Sequence, residues 1–201
     1  MCNGTELLIC VMPKSVALLR GINVSASNKI LMTDLRELCA GLGWRCAQTY
    51  IQSGNIVFEA EEEEAALEWD LEQAIRQRLA LEIPVVVRSS DQWTRYVAAN
   101  PFPDAAETEP DRLMLYLSKS QPAATAERLI QERARDGERI ALAAGALWIH
   151  YPAGAGRSRL SPTLIDRLIG SSSTARNWRT VMKLQEMLDA SGSGAPLRDA
   201  G

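Results

Sequence analysis

The sequence predicts an α+β protein of two lobes. A ferredoxin-like βαββαβ lobe spans 15–100, and an incomplete βαββα lobe with a C-terminal helix spans 111–190. Three observations predict it. Short apolar runs of strand length alternate with patterns of helical period. Their order up to residue 100 is β-α-β-β-α-β, and part of it returns after residue 110. Between them, residues 101–110 are rich in Pro, Asp and Glu, the composition of a connector.

Each element has its own signal. "SVALL" (15–19) reads as a buried strand. Thr33 caps a helix running to about Leu42, with Leu35, Leu38, Cys39 and Leu42 on one face and Gly41 and Gly43 to break it. Strands at about 46–51 and 56–60 are joined through Gly54-Asn55, residues that tolerate the positive φ of tight turns. Leu67, Leu71, Ala74, Ile75 and Leu79 mark an amphipathic helix from about Glu62 to Leu81, with acids at its opening. "PVVVR" from Pro84 is a strand, and a short helix with Trp93, Tyr96 and Val97 stops at Asn100-Pro101.

In the second lobe "RLMLYLS" (112–118) is a strand, 122–135 a helix, and 139–151 two strands around Ala144-Gly145. A Gly-rich loop (152–159) leads to Ser161-Pro162, a cap with proline at the first helical position. The last helix follows, capped by Thr174 and striped by Val181, Leu184, Gln185 and Leu188. Residues 1–14 read as an N-terminal extension and 191–201 as a disordered tail.

Bulk numbers narrow the function classes. The 201 residues carry 46% apolar and 23% charged side chains, ordinary for a soluble domain. A net charge of −3 argues against a surface that coats nucleic acid and leaves only local basic patches for that task. The four cysteines show no metal spacing and no disulfide framework, which suits reduced thiols and a cytoplasmic location. No apolar run reaches the roughly 20 residues of a membrane span. No metal or cofactor motif is present in the sequence.

Two polar clusters stand out. In a βαββαβ lobe the end of the first strand, the start of the first helix and the hairpin after the second strand share one edge. That connectivity gathers Arg20, Asn23, Ser25, Ser27, Asn28 and Lys29 with Gln52, Ser53 and Asn55, and sends the acids 61–64 to the opposite edge. The free N–H groups of the first helix face this rim and favour an anion, and Arg20 offers a planar fork to it. The competing reading is turn chemistry, with Arg20 paired to an acid. The second cluster joins Arg157 in "GAGRSR" with Arg176 and Asn177 in "TARNWRT". Residues 151–183 hold six basic residues against one acid, a balance of +5. A backbone nest there would suit phosphate, and a solvated basic face would carry the same charge. Trp178 either stacks on a base or pins the last helix. His150, the single histidine, reads as structural, and Ser53 has no identifiable base.

"VALLRGINV" (16–24), "NK" (28–29), "M..LREL...LG" (32–43), "YIQSGNIVF" (50–58), "NPF" (100–102) and "TARNWRTVMKL" (174–184) occur in that order. They resemble domain-of-unknown-function family 1697, bacterial proteins without an established activity, over about residues 12–190. The resemblance implies an α+β fold of ferredoxin-like character and supplies no catalytic residue. It also makes Met12-Pro13-Lys14 look like a natural start. Three functions compete: a binding module for a phosphate-bearing ligand, either a nucleotide or a short nucleic acid; a small-molecule enzyme at the same rim; and a protein-interaction or oligomerising module. Oligomeric state is left open.

Overall fold

In the computed structural model, which describes residues 12–24 and 28–190, two four-stranded antiparallel sheets stack with helices between and outside them. The first sheet follows β1 (Lys14–Leu19), α1 (Met32–Gly41), β2 (Arg45–Tyr50), β3 (Asn55–Glu59), α2 (Glu64–Leu79) and β4 (Val85–Ser89), in strand order β2-β3-β1-β4. This is the βαββαβ arrangement expected. Strand alternation sorts its core. Ala17, Leu19, Ile56, Phe58, Val85 and Val87 face α1 and α2, while Val16, Leu18, Val57 and Val86 face the second lobe.

Helices α3 (Ser90–Ala98) and α4 (Pro103–Thr108) connect the lobes, so the connector has helical structure of its own. The second sheet is built from β5 (Leu113–Ser118), α5 (Ala126–Gln131), β6 (Arg139–Ala143), β7 (Ala146–His150), α6 (Pro162–Ile169) and β8 (Ser173–Asn177), in order β6-β7-β5-β8. Helix α7 (Trp178–Asp189) closes the described chain. The second lobe is therefore a complete βαββαβ unit. The fourth strand that the sequence hid is "STARN", antiparallel to β5 from Ser118↔Ser173 to Met114↔Asn177. It carries no apolar alternation because polar contacts, not burial of aliphatic side chains, secure it. Thr174 lies in this strand, and Asn177 caps α7 by accepting the Thr180 N–H at 3.0 Å. Thr33 likewise lies inside α1, whose N-cap is Leu31, and α5 is shorter than the 122–135 pattern.

The faces between the sheets meet in one apolar core. Leu113, Leu115, Leu117 and Trp148 of the second lobe join Trp93 and Tyr96 of α3 and Val181, Leu184 and Leu188 of α7. The indole N–H of the fully buried Trp93 donates to the Val181 carbonyl at 3.2 Å, tying α3 to α7.

Two sheet edges are sealed by the same device. Glu64, Glu68 and Glu72 of α2 accept the outward N–H groups of Ser89, Val87 and Val85 at 3.0, 2.9 and 2.8 Å. Four residues of helix advance about 6 Å and two of strand about 6.6 Å, so the two ladders run in step. Glu127 and Gln131 of α5 do the same for Leu142 and Ile140 of β6. A sealed edge is a poor template for pairing with another chain.

Of the expected extension 1–14, residues 1–11 lie outside the described residues and Lys14 opens β1; the tail 191–201 and Ser25 and Ser27 also lie outside the described residues. No described helix is long and apolar enough to cross a membrane.

Candidate functional site

Chain connectivity does bring the end of β1, the start of α1 and the β2–β3 hairpin together. The Leu19 N–H donates to the Gly54 carbonyl at 2.8 Å, and the Asn23 side-chain amide donates to Gln52 O at 2.8 Å and Ile30 O at 3.0 Å. Asn23 and Asn28 hold left-handed backbone, at φ of 56° and 57°. Asn23 thereby stitches the loop to the hairpin, as the turn-chemistry reading anticipates.

Much of the hairpin is occupied by the protein itself. Asn55 is fully buried and donates to Tyr50 O and Ser53 Oγ. Its Oδ1 accepts from Arg176 Nε of β8. Arg176 further donates to the carbonyls of Leu19, Ser53 and Gly54 at 2.9, 3.0 and 3.1 Å, and to Thr174 Oγ1 and Ala175 O. Burial pulls its pKa down to about 10. "QSGN" and "TAR" are thus two halves of one clasp between the lobes. Gly54 is required there. At φ +74° a Cβ would stand 2.6 Å from Leu19 Cβ.

The guanidinium beside the hairpin is Arg176, not Arg20. Arg20 continues the parity of Val16 and Leu18, so its side chain points to the second lobe. There it pairs with Asp166 and donates to Ser172 Oγ at 2.7 Å.

The second cluster does not converge. Arg157 is exposed in a short 3₁₀ turn, Ala155–Arg157, while Arg176 is buried in the clasp and Asn177 caps α7. Arg179 and Lys183 form ion pairs with Asp111 and Glu186. The N–H groups of Gly154, Arg157 and Ser158 already donate to Tyr151, Gly154 and Ala155 carbonyls, which leaves no open nest of those groups. Trp178 packs against Trp148, ring centroids 5.8 Å apart, on the interlobe core. His150 is buried and bonds Glu109 at 2.8 Å, on a different lobe from Ser53.

What stays open at the first rim is a groove of about 810 Å³ at the start of α1. Asn23, Lys29 and Gln52 line it, as the connectivity argument anticipates, with Thr33, Arg36 and Thr49 added. No side chain caps α1, so the first-turn N–H groups keep their hydrogen-bonding capacity. Arg36 donates to Thr49 Oγ1 at 3.0 Å across the groove. The sequence signal for Arg36 was available: it lies within one turn of the helix start, on the exposed side of the Leu35–Leu38–Cys39 stripe. Leu31 and Ile51, 68% and 51% exposed, give the groove apolar patches. Ile51 holds φ 45°, a conformation that a β-branched side chain adopts only under strain.

A family model described as "Protein of unknown function (DUF1697)" matches residues 12–148. The chain belongs to this family. The DUF1697 match ends within β7, so β8 and α7, with their half of the clasp, lie beyond it. Among solved structures, a conserved bacterial protein from Streptococcus pneumoniae is similar over 88% of this chain and 99% of its own, with a TM-score of 0.69 and 23% identity. That likeness shows the fold. None of the curated proteins matches the chain.

Proposed function

We propose that this member of the DUF1697 family is a binding module for a phosphate-bearing ligand, a nucleotide in preference to a nucleic acid strand, held in the groove at the start of α1. The observation that carries the reading is the uncapped helix start opening between Lys29 and Arg36. Free N–H groups and the helix dipole favour an anion there. Neither cation is held by an ion pair among the described residues, and Arg36 spends one N–H on Thr49. Thr33, Thr49 and Gln52 supply neutral hydrogen-bonding groups for the rest of a phosphate.

Leu31 and Ile51 favour a nucleotide, since they offer apolar surface for a base beside the cations. The groove volume lies in the range of roughly 300–1,000 Å³ that small ligands use. Asp34 lines the same groove and opposes the anion. Neutralising it therefore strengthens binding on this reading.

The test is calorimetric titration of the protein with inorganic phosphate, nucleoside mono- and triphosphates and a short oligonucleotide, at low and moderate salt. A nucleoside phosphate is expected to bind best, more weakly as salt rises, and Asp34→Asn to tighten it. Tightest binding by the oligonucleotide would replace the nucleotide with a strand. Affinity for every phosphate compound unchanged by Asp34→Asn and by salt would overturn the reading.

A further inference from the structure

The inner face of α2 packs Leu67, Leu71 and Ile75 on the first sheet, and its flank seals β4 through Glu64, Glu68 and Glu72. Its outer face belongs to neither task. There Trp69 stands 60% exposed, the one exposed tryptophan among the chain's five. Ala65 and Ala66 lie one turn before it and Gln73 one turn after it, so its surroundings on the helix are small and uncharged. An indole held on a rigid helix and left bare to water is the residue type that most often anchors a protein contact.

The charges on either side of the indole have opposite signs. Glu62 and Glu63 are exposed at the entry of α2, and the ion pairs of the acids after them leave them out: Glu64 and Glu68 face Arg88, and Glu72 faces Lys119. Toward the other end stands Arg76. Its bond to Glu82, at 2.6 Å, uses one N–H of five, and both side chains are more than half exposed. An exposed pair of this kind holds its members weakly, so Arg76 remains open to a further carboxylate. Glu63 and Arg76 lie six and seven residues from Trp69, about 9 and 10.5 Å along the helix axis. The two signs are therefore spaced almost evenly about the indole.

We propose that the outer face of α2 is an interface between two copies of this chain, packed antiparallel about a two-fold axis at Trp69. Even spacing of opposite charges is what such an axis requires. It carries Arg76 of each copy onto Glu62 and Glu63 of the other and brings the two indoles together at the centre. The Ala65–Ala66 surface of each helix then receives the indole of the second copy. Two antiparallel helices also oppose their dipoles favourably, whereas a parallel pair would set acid against acid and Arg76 against Arg76. One helix pair buries less than the roughly 1,200 Å² at which standard interfaces begin. The dimer is accordingly weak, with a Kd on the order of 100 µM. It uses no residue of the groove at the start of α1, and the two readings stand or fall separately.

The experiment is sedimentation equilibrium of the full chain from about 10 µM to about 1 mM, a range that brackets the expected Kd. The wild type is expected to pass from monomer to dimer across it. Trp69→Ala, at an exposed helix position, is expected to keep its circular dichroism and to weaken the dimer at least about tenfold. Two charge reversals test the register. Glu62→Arg/Glu63→Arg sets cations against Arg76, and Arg76→Glu sets acids against acids, so each variant alone is expected to stay monomeric. Their equimolar mixture restores both oppositely charged contacts and is expected to dimerise about as well as the wild type. That rescue also shows that both variants are folded. A wild type that is monomeric at about 1 mM overturns the proposal. So does a dimer that Trp69→Ala leaves at full strength, or a mixture of the two reversed variants that stays monomeric.

Discussion

The two lobes share one strand order, and their equivalent rims have opposite fates. The first rim, at the start of α1, opens to solvent with Lys29 and Arg36 outside any described ion pair. The second rim, at the end of β5, is pressed against the acid-lined edge of the first lobe, where Lys119 and Arg88 are paired with Glu72 and Glu68. Topology therefore supplies a polar pocket at each rim. What it is suited to hold depends on what the rest of the chain places in front of it. Uncompensated cations favour an anion. Cations already paired with carboxylates do not.

The largest effect expected is on the clasp that fixes the lobes relative to each other. Arg176→Met removes a buried charge that holds Asn55 and three carbonyls of the first lobe, and takes the guanidinium donors from all four, although the Gly54 carbonyl keeps the Leu19 N–H and the Leu19 carbonyl keeps Thr174 Oγ1. A loss of about 3–5 kcal/mol is expected from denaturant unfolding. A loss below about 1 kcal/mol would show that the lobes dock without it. Gly54→Ala follows. The new Cβ meets Leu19 and the positive φ disfavours alanine, for about 3 kcal/mol in total. An unchanged midpoint would mean that the hairpin moves freely against β1.

A smaller change of opposite sign is expected at the open rim. Ile51→Gly relieves the left-handed strain of an exposed residue and is expected to raise stability by about 1 kcal/mol. Destabilisation there would show that the Ile51 side chain contributes more packing than strain. The smallest effect is a slope at the closed rim. Desolvation raises the pKa of Glu68 despite the Val87 N–H, Arg88 and Lys119, so the folded state holds its proton more tightly than the unfolded state. Stability therefore falls as pH rises from the usual glutamate pKa of about 4.3 toward the raised folded value. Glu68→Gln is expected to abolish that component while keeping an acceptor for Val87. Identical pH profiles in the two proteins would contradict the assignment.

The fold was largely legible because apolar patterns mark six of the eight strands and the Gly54-Asn55 turn signals β2. β8 was not, since Ser173, Thr174, Arg176 and Asn177 are held by hydrogen bonds to Asp166, Leu19, Asn55 and Asp111, in that order, that no local pattern announces. The same long-range contacts explain the reassignment at the first rim. Connectivity located Asn23, Lys29 and Gln52 correctly at the edge, but the direction of Arg20 depends on where the second lobe docks. Arg157 was joined to Arg176 by sequence charge alone, and burial of one and exposure of the other separate them.

The most direct test of the anion reading is the affinity of the best nucleoside phosphate for the wild type and for Lys29→Ala/Arg36→Ala. Both side chains are exposed, so the variant is expected to stay folded. A loss of at least about tenfold per cation, near 1.4 kcal/mol each, is predicted, together with a shallower salt dependence. Equal affinity and equal salt dependence in the two proteins would contradict it.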